Sequence, residues 1–144
     1  MKFAVRYASR GGNTRAVADV IANKVGVQAR RVSEPLEEDV EVLFLGGGVW
    51  FADVTKDMKE FLATLDKNKV QQVVVFSTAS DLDAATKKIV KAVAAKGIKV
   101  NDNTLTVKLF FQGFSLFAQA GGDLKAEQIQ RVETFADKVL AGLN

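Results

Sequence analysis

Apolar runs with strand character alternate along this chain with stretches whose apolar positions recur every three or four residues. Residues 3–8, 40–46 and 70–77 are dense in Val, Phe, Leu and Ala and read as strands. Residues 104–111, rich in β-branched and aromatic side chains, make a fourth. Residues 27–32 are shorter and more polar, which suits a sheet edge. Residues 98–100 are a candidate opening of the last strand, ahead of a turn at Asn101, Asp102 and Asn103. A helix beginning near Arg15 places Val17, Val20, Ile21 and Val25 on one face. A second places Met58, Phe61, Leu62 and Leu65 at i, i+3, i+4 and i+7. A third is marked by Ala85, Ile89, Ala92, Val93 and Lys96, and the last by Ile129, Val132, Ala136, Val139 and Leu140. Asp53 or Thr55, Asp81 or Asp83, and Asp123 are candidate N-caps. Gly26, Gly97 and Gly142 stand where helices should end.

Strict alternation of this kind predicts one α/β domain over residues 1–144, with parallel strands and helices on both faces of the sheet. Residues 40–46 and 70–77 are nearly continuously apolar, as central parallel strands are. The chain shows no linker, repeat or low-complexity tract, and its single proline, Pro35, falls in the polar stretch between the second and third strands.

Composition narrows the chemistry. At 144 residues with 48% hydrophobic and 26% charged, the chain is long enough to bury a core without staples. It has no cysteine and no histidine, which excludes disulfides, thiolate metal sites, cysteine nucleophiles, His-based triads and the usual general base near neutral pH. Few reaction options are left without a cofactor. The net charge of +3 is mild and scattered. Lys87-Lys88 and Arg30-Arg31 are pairs rather than a stripe, so nucleic acid is not an expected partner. No apolar run approaches the ~18 residues that span a bilayer. No membrane association is expected, and a cytoplasmic location is.

Ser9, Arg10, Gly11, Gly12, Asn13 and Thr14 lie between the first strand and the first helix. The first N–H groups of a helix lack internal partners, and the helix dipole favours an anion there. The two glycines let backbone approach a ligand closely, Ser9 and Thr14 offer hydroxyls, and Asn13 is a candidate cap. Neither the Lys of a P-loop nor the spacing of a dinucleotide fingerprint is present. The loop suits a phosphate monoester held largely by neutral donors, with Arg10 adding some charge.

Ligands of open α/β sheets bind beyond the carboxyl ends of the strands. Two further segments should reach that edge: Gly46, Gly47, Gly48, Val49, Trp50, Phe51, Ala52 and Asp53 after the third strand, and Ser77, Thr78, Ala79, Ser80, Asp81 and Leu82 after the fourth. The phosphate-type loop resembles the first loop of the flavodoxins, with Gly11 where that family often has threonine. Gly48-Val49-Trp50 followed by Lys56-Asp57-Met58-Lys59-Glu60-Phe61-Leu62 is similar to the second flavin loop and helix of small flavodoxin-like proteins. Glu133-Thr134-Phe135-Ala136-Asp137-Lys138 is similar to their last helix.

The resemblance implies a three-layer sandwich with a five-stranded parallel sheet of order 2-1-3-4-5 and noncovalent FMN. Its phosphate would be anchored by residues 9–14 and its ring would lie between the second and third loops. Trp50, the only tryptophan, would stack on one flavin face, with Phe51 as the alternative. The glycine triplet is either a tight strand exit or a place of positive φ near flavin N5. Residues 77–81 would offer backbone N–H groups to the pyrimidine end of the ring, or else form a polar turn capping the next helix. No second aromatic stands between Ser77 and Asp83. Phe110, Phe111, Phe114, Leu116 and Phe117 read as core, or as a docking patch beside the flavin.

The implied activity is electron transfer as a carrier rather than a stand-alone enzyme. Acidic redox partner proteins are expected, with the chain a monomer or weak dimer. Flavodoxins are commonly acidic, so this basic chain should reduce its flavin fully at a less negative potential than is usual for them. Two rivals stand beside this: a small flavin-dependent NAD(P)H or quinone reductase, and a flavodoxin-like binding module that has lost FMN.

Overall fold

Two central strands, β3 (Val40–Gly47) and β6 (Val70–Ser77), run parallel with Val40 level with Val70 and Gly47 level with Ser77. The computed structural model that shows this describes residues 1–8, 13–47, 49–50, 53–78, 84–107 and 124–143. Because successive strand residues point to opposite faces, Leu43, Leu45, Val73 and Val75 enter one apolar cluster, and Val42, Phe44, Val74 and Phe76 enter the other. Both faces are covered by helices, so both phases of each strand are apolar over most of its length, which explains the nearly continuous apolar runs, broken only by Glu41, Gln71 and Gln72 toward the strand starts.

On one side of β3 lies β1 (Phe3–Tyr7), and beyond it β2 (Ala29–Arg31) forms the edge. On the far side of β6 the fifth position is divided. β7 (Lys99–Val100) pairs with Gln72 and Val73, and β8 (Leu105–Thr106) pairs with Phe76 and Ser77. All these pairings are parallel, and the order is β2-β1-β3-β6 followed by β7 with β8, the 2-1-3-4-5 arrangement. Of the strand expected over 104–111, Leu105–Thr106 pair with β6 after a break, and residues 108–111 lie outside the described residues. The Asn101 side chain accepts from Asn103 N–H at 2.9 Å and donates to Gln72 Oε1 at 3.0 Å, a local turn that displaces the ladder.

α1 (Asn13–Val25) and α4 (Ala126–Ala141) cover one face with Val17, Ala18, Ile21, Val132, Phe135 and Val139. α2 (Lys56–Thr64) and α3 (Ala84–Ala95) cover the other with Met58, Phe61, Leu62, Ile89 and Val93, joined by Leu65 just past α2. Each fully buried side chain of this size contributes about 1.5–3 kcal/mol. Lys96, expected on α3, follows it, and its Nζ donates to Ala63 O at 2.8 Å, tying the ends of α2 and α3.

Of the two caps expected for α2, Thr55 rather than Asp53 precedes the helix. Its hydroxyl bonds the Asp57 carboxylate, which in turn accepts from Met58 N–H. Lys125, not Asp123, precedes α4, where the Gln128 side chain reaches back to Lys125 N–H at 2.8 Å. Gly26 (φ 78°) and Gly97 (φ 77°) take the left-handed turn that glycine allows, whereas Gly142 ends α4 at φ −84°, open to any residue.

The β2–β3 connection, residues 32–39, contains no helix. Arg6, on the same face of β1 as Ala4 and Ala8, is buried beneath it. Its guanidinium donates to Glu34 O at 3.0 Å, Val5 O at 3.2 Å and Pro35 O at 3.3 Å. Burial holds its pKa below the ordinary arginine value, against the opposing pull of Glu34.

Candidate functional site

The strands end level at one edge. Ala8 N–H donates to Gly46 O at 2.9 Å, Gly46 is paired with Tyr7 on one side and Phe76 on the other, and Ser77 is paired with Gly47 and Thr106. The segments leaving β1, β3 and β6 therefore emerge beside one another, as the fold rule for α/β sheets requires. Ser9, Arg10, Gly11, Gly12, Gly48, Phe51, Ala52, Ala79, Ser80, Asp81 and Leu82 lie outside the described residues. So do Asp83, Phe110, Phe111, Phe114, Leu116 and Phe117.

Among the described residues, α1 begins at Asn13, so Asn13 is its first residue rather than its cap. The first turn of α1 carries no acidic side chain of its own to offset its partial positive charge. Thr14, 3% exposed, reaches across the edge: its Oγ1 lies 2.6 Å from Oγ1 of Thr78, itself 9% exposed. The first residues of α1 and the first residue after β6 are thereby linked by side chains.

Gly47 belongs to β3 and is buried. Neither Gly46 nor Gly47 has positive φ, so for these two the strand-exit reading holds and the flexible-hinge reading does not. An ideal Cβ on Gly46 would stand 2.1 Å from the Phe76 ring, and one on Gly47 would stand 3.2 Å from Met58 Cε. Close packing explains both glycines. Beyond β3, the expected second loop is a small antiparallel ribbon. β4 (Val49–Trp50) pairs with β5 (Asp53–Val54), with Trp50 opposite Asp53, so residues 51 and 52 connect them. Trp50 thus sits at the end of a two-stranded ribbon directly after the carboxyl end of β3.

Ser77, expected both as the end of the fourth strand and as the start of the third loop, is the last residue of β6 and fully buried, so the loop starts at Thr78. The Ser77 hydroxyl accepts from Thr86 Oγ1 at 3.2 Å and donates to Thr106 Oγ1 at 3.4 Å. Thr86 and Thr106 were not singled out from the sequence. Thr86 carried a usable signal: it shares the face of Ile89 and Val93 at i+3 and i+7. A hydroxyl on an apolar stripe needs a buried partner. No helix among the described residues is long and apolar enough to cross a membrane.

The chain matches no protein-family model and no curated protein sequence. Solved structures do match. A flavodoxin from the domain Archaea superposes with a TM-score of 0.76 at 18% identity, over 98% of this chain and 97% of that one. The flavodoxin of Streptococcus pneumonia TIGR4 gives a TM-score of 0.68 at 18% identity, over 98% and 99%. The rubredoxin oxygen:oxidoreductase of the anaerobe Desulfovibrio gigas gives 0.73 at 14% identity, over 99% of this chain and 36% of that one. With a parallel sheet of order 2-1-3-4-5, helices on both faces and this likeness over its whole length, this chain has the flavodoxin-like fold.

Proposed function

We propose that this chain is an FMN-binding electron-transfer protein, a redox carrier of flavodoxin type. The observation that carries the reading is the convergence at the sheet's carboxyl edge. An acid-free start of α1, the Trp50 ribbon and the beginning of the third loop leave adjacent strands, and Thr14 is joined to Thr78 across them. The donor set suits the cofactor. A phosphate monoester is anionic and accepts hydrogen bonds, and helix N–H groups with a threonine hydroxyl supply them without a competing carboxylate. The likeness in fold to flavodoxins supports the same assignment.

On this reading FMN, when bound, takes up and releases one or two electrons, and the protein binds, orients and shields it. Ser9, Arg10, Gly11, Gly12, Asn13 and Thr14 hold the phosphate. Gly47, Gly48, Val49, Trp50, Phe51 and Ala52 form the wall that excludes water from one ring face, Trp50 by stacking. Thr78, Ala79, Ser80 and Asp81 present backbone N–H groups to the pyrimidine end, and Ser77 supports them from within β6. The protein works in the cytoplasm with acidic redox partners.

A visible absorption spectrum of the purified protein, repeated after soaking with FMN, tests this. Flavin bands that survive desalting are expected. Protein that stays colourless after soaking overturns the assignment in favour of a flavin-free binding module. Steady NAD(P)H oxidation by the loaded protein would make it a reductase instead.

A further inference from the structure

We infer that Thr78 is the positioning residue for the Thr14 hydroxyl, so that a phosphate at the start of α1 is held through two hydroxyls in series, anchored on β6. The inference rests on the FMN reading above. Thr14 Oγ1 and Thr78 Oγ1 stand 2.6 Å apart and both side chains are buried. A hydroxyl has one hydrogen to give and lone pairs to receive. One hydrogen bridges the two oxygens, and the direction of that bridge decides what Thr14 presents outward. If Thr14 donates to Thr78, it offers a ligand only a lone pair. If Thr78 donates to Thr14, the hydrogen of Thr14 is free to be given to a ligand.

A phosphate monoester bears negative oxygens and accepts hydrogen bonds, so it is compatible with the second arrangement alone. Thr78 then donates to Thr14, and Thr14 donates to a phosphate oxygen. Each bond polarises the next, and the outer one is strengthened by the charge on its acceptor. Thr78 does not touch the phosphate. It sets the rotamer of Thr14 and the direction of its hydrogen. The anchor is rigid because Thr78 follows Ser77, which is fully buried and paired on both sides. The pair therefore favours phosphorylated over unphosphorylated flavin.

The test compares FMN and riboflavin binding by the wild type and by Thr78→Val, which keeps the side chain's shape and removes its hydrogen. FMN affinity is expected to fall by about five- to tenfold more than riboflavin affinity, the loss of one neutral hydrogen bond that orients the Thr14 hydroxyl. Thr78→Ser should restore FMN affinity. In a Thr14→Val background Thr78→Val should cost nothing further. Equal loss for both ligands makes Thr78 merely structural and overturns the inference, as does unaltered FMN affinity in Thr78→Val. Should the valine variant not fold, Thr78→Ala carries the same comparison. A wild type that binds neither ligand overturns the FMN reading itself, and this inference with it. A wild type that binds FMN while Thr78→Val is indifferent overturns the role of Thr78 alone.

Discussion

The ring of Phe76 fills the space that a β-carbon on Gly46 would need: the two residues are paired across β3 and β6, and an ideal Cβ on Gly46 falls 2.1 Å from Phe76 Cε2. Phe76 is fully buried and cannot swing away without opening the core. Gly46→Ala should therefore destabilise the fold by about 3 kcal/mol, the upper part of the overpacking range. Gly47→Ala should cost less, because its added carbon meets the flexible end of Met58 at 3.2 Å. Urea denaturation of both variants checks the ranking, and equal losses would refute it.

Arg6 holds the helix-free β2–β3 connection through the carbonyls of Glu34 and Pro35. Arg6→Met keeps the apolar stem and strands those two acceptors, so a loss of about 2 kcal/mol is expected. Arg6→Lys should not rescue it, since one ammonium cannot reproduce a planar fork. Chemical denaturation of the three proteins decides, and full recovery by lysine would show that charge alone matters.

The Ser77–Thr86–Thr106 hydroxyls should respond asymmetrically. Ser77→Ala takes away the acceptor of a buried donor, Thr86, and should cost about 1–3 kcal/mol. Thr86→Val leaves Ser77 still donating to Thr106 and places an apolar group on the apolar face of α3, so less than about 1 kcal/mol is expected. Reversal of that order in thermal unfolding would show that the bridge runs the other way.

Lys24 on α1 meets Asp137 on α4 at 2.9 Å. The hydrogen bond to Asp137 is the main cause that raises the lysine's pKa above its ordinary value. A raised folded-state value means that, from neutral pH upward, the pair's contribution is fully present below the unfolded lysine pKa and is lost as pH climbs through the folded one. Melting curves of wild type and Lys24→Met from neutral to strongly alkaline pH should show a small, salt-sensitive gap that closes only at the alkaline end. A gap that stays constant or widens as pH climbs through the alkaline range would contradict the assignment.

Trp50 is the only tryptophan, so its emission reports on the ribbon after β3 alone. Titration with FMN should quench it. Trp50→Ala should weaken FMN binding by about 0.5–1.5 kcal/mol beyond the area lost, with Phe51→Ala smaller. If Phe51→Ala has the larger effect, Phe51 is the stacking ring.

The layers of this protein were legible from residue order because their signals are local. Met58, Phe61, Leu62 and Leu65 fall at helical spacing and are all buried; Val70 to Ser77 is apolar in most of its positions and forms a central strand over those same residues. The direction of the sheet follows from the alternation of such segments, and the place where ligands gather follows from the sheet. Periodicity reads each element against its own axis, and it needs no knowledge of neighbours.

What needed neighbours was decided by tertiary structure alone. Arg6 occupies an ordinary polar step of an alternating strand until a helix-free connection closes over it. Gly46 resembles a flexible turn residue until Phe76 is laid beside it. The turn at Asn101 is legible in the chain, but the hydrogen bond from its side chain to Gln72 on β6 exists only in the folded sheet. Thr14 and Thr78 are 64 positions apart, and no pattern in the chain couples them. Their hydrogen bond exists because β1 and β6 flank β3 and end at the same edge, a distance set by the folded sheet and invisible along the backbone.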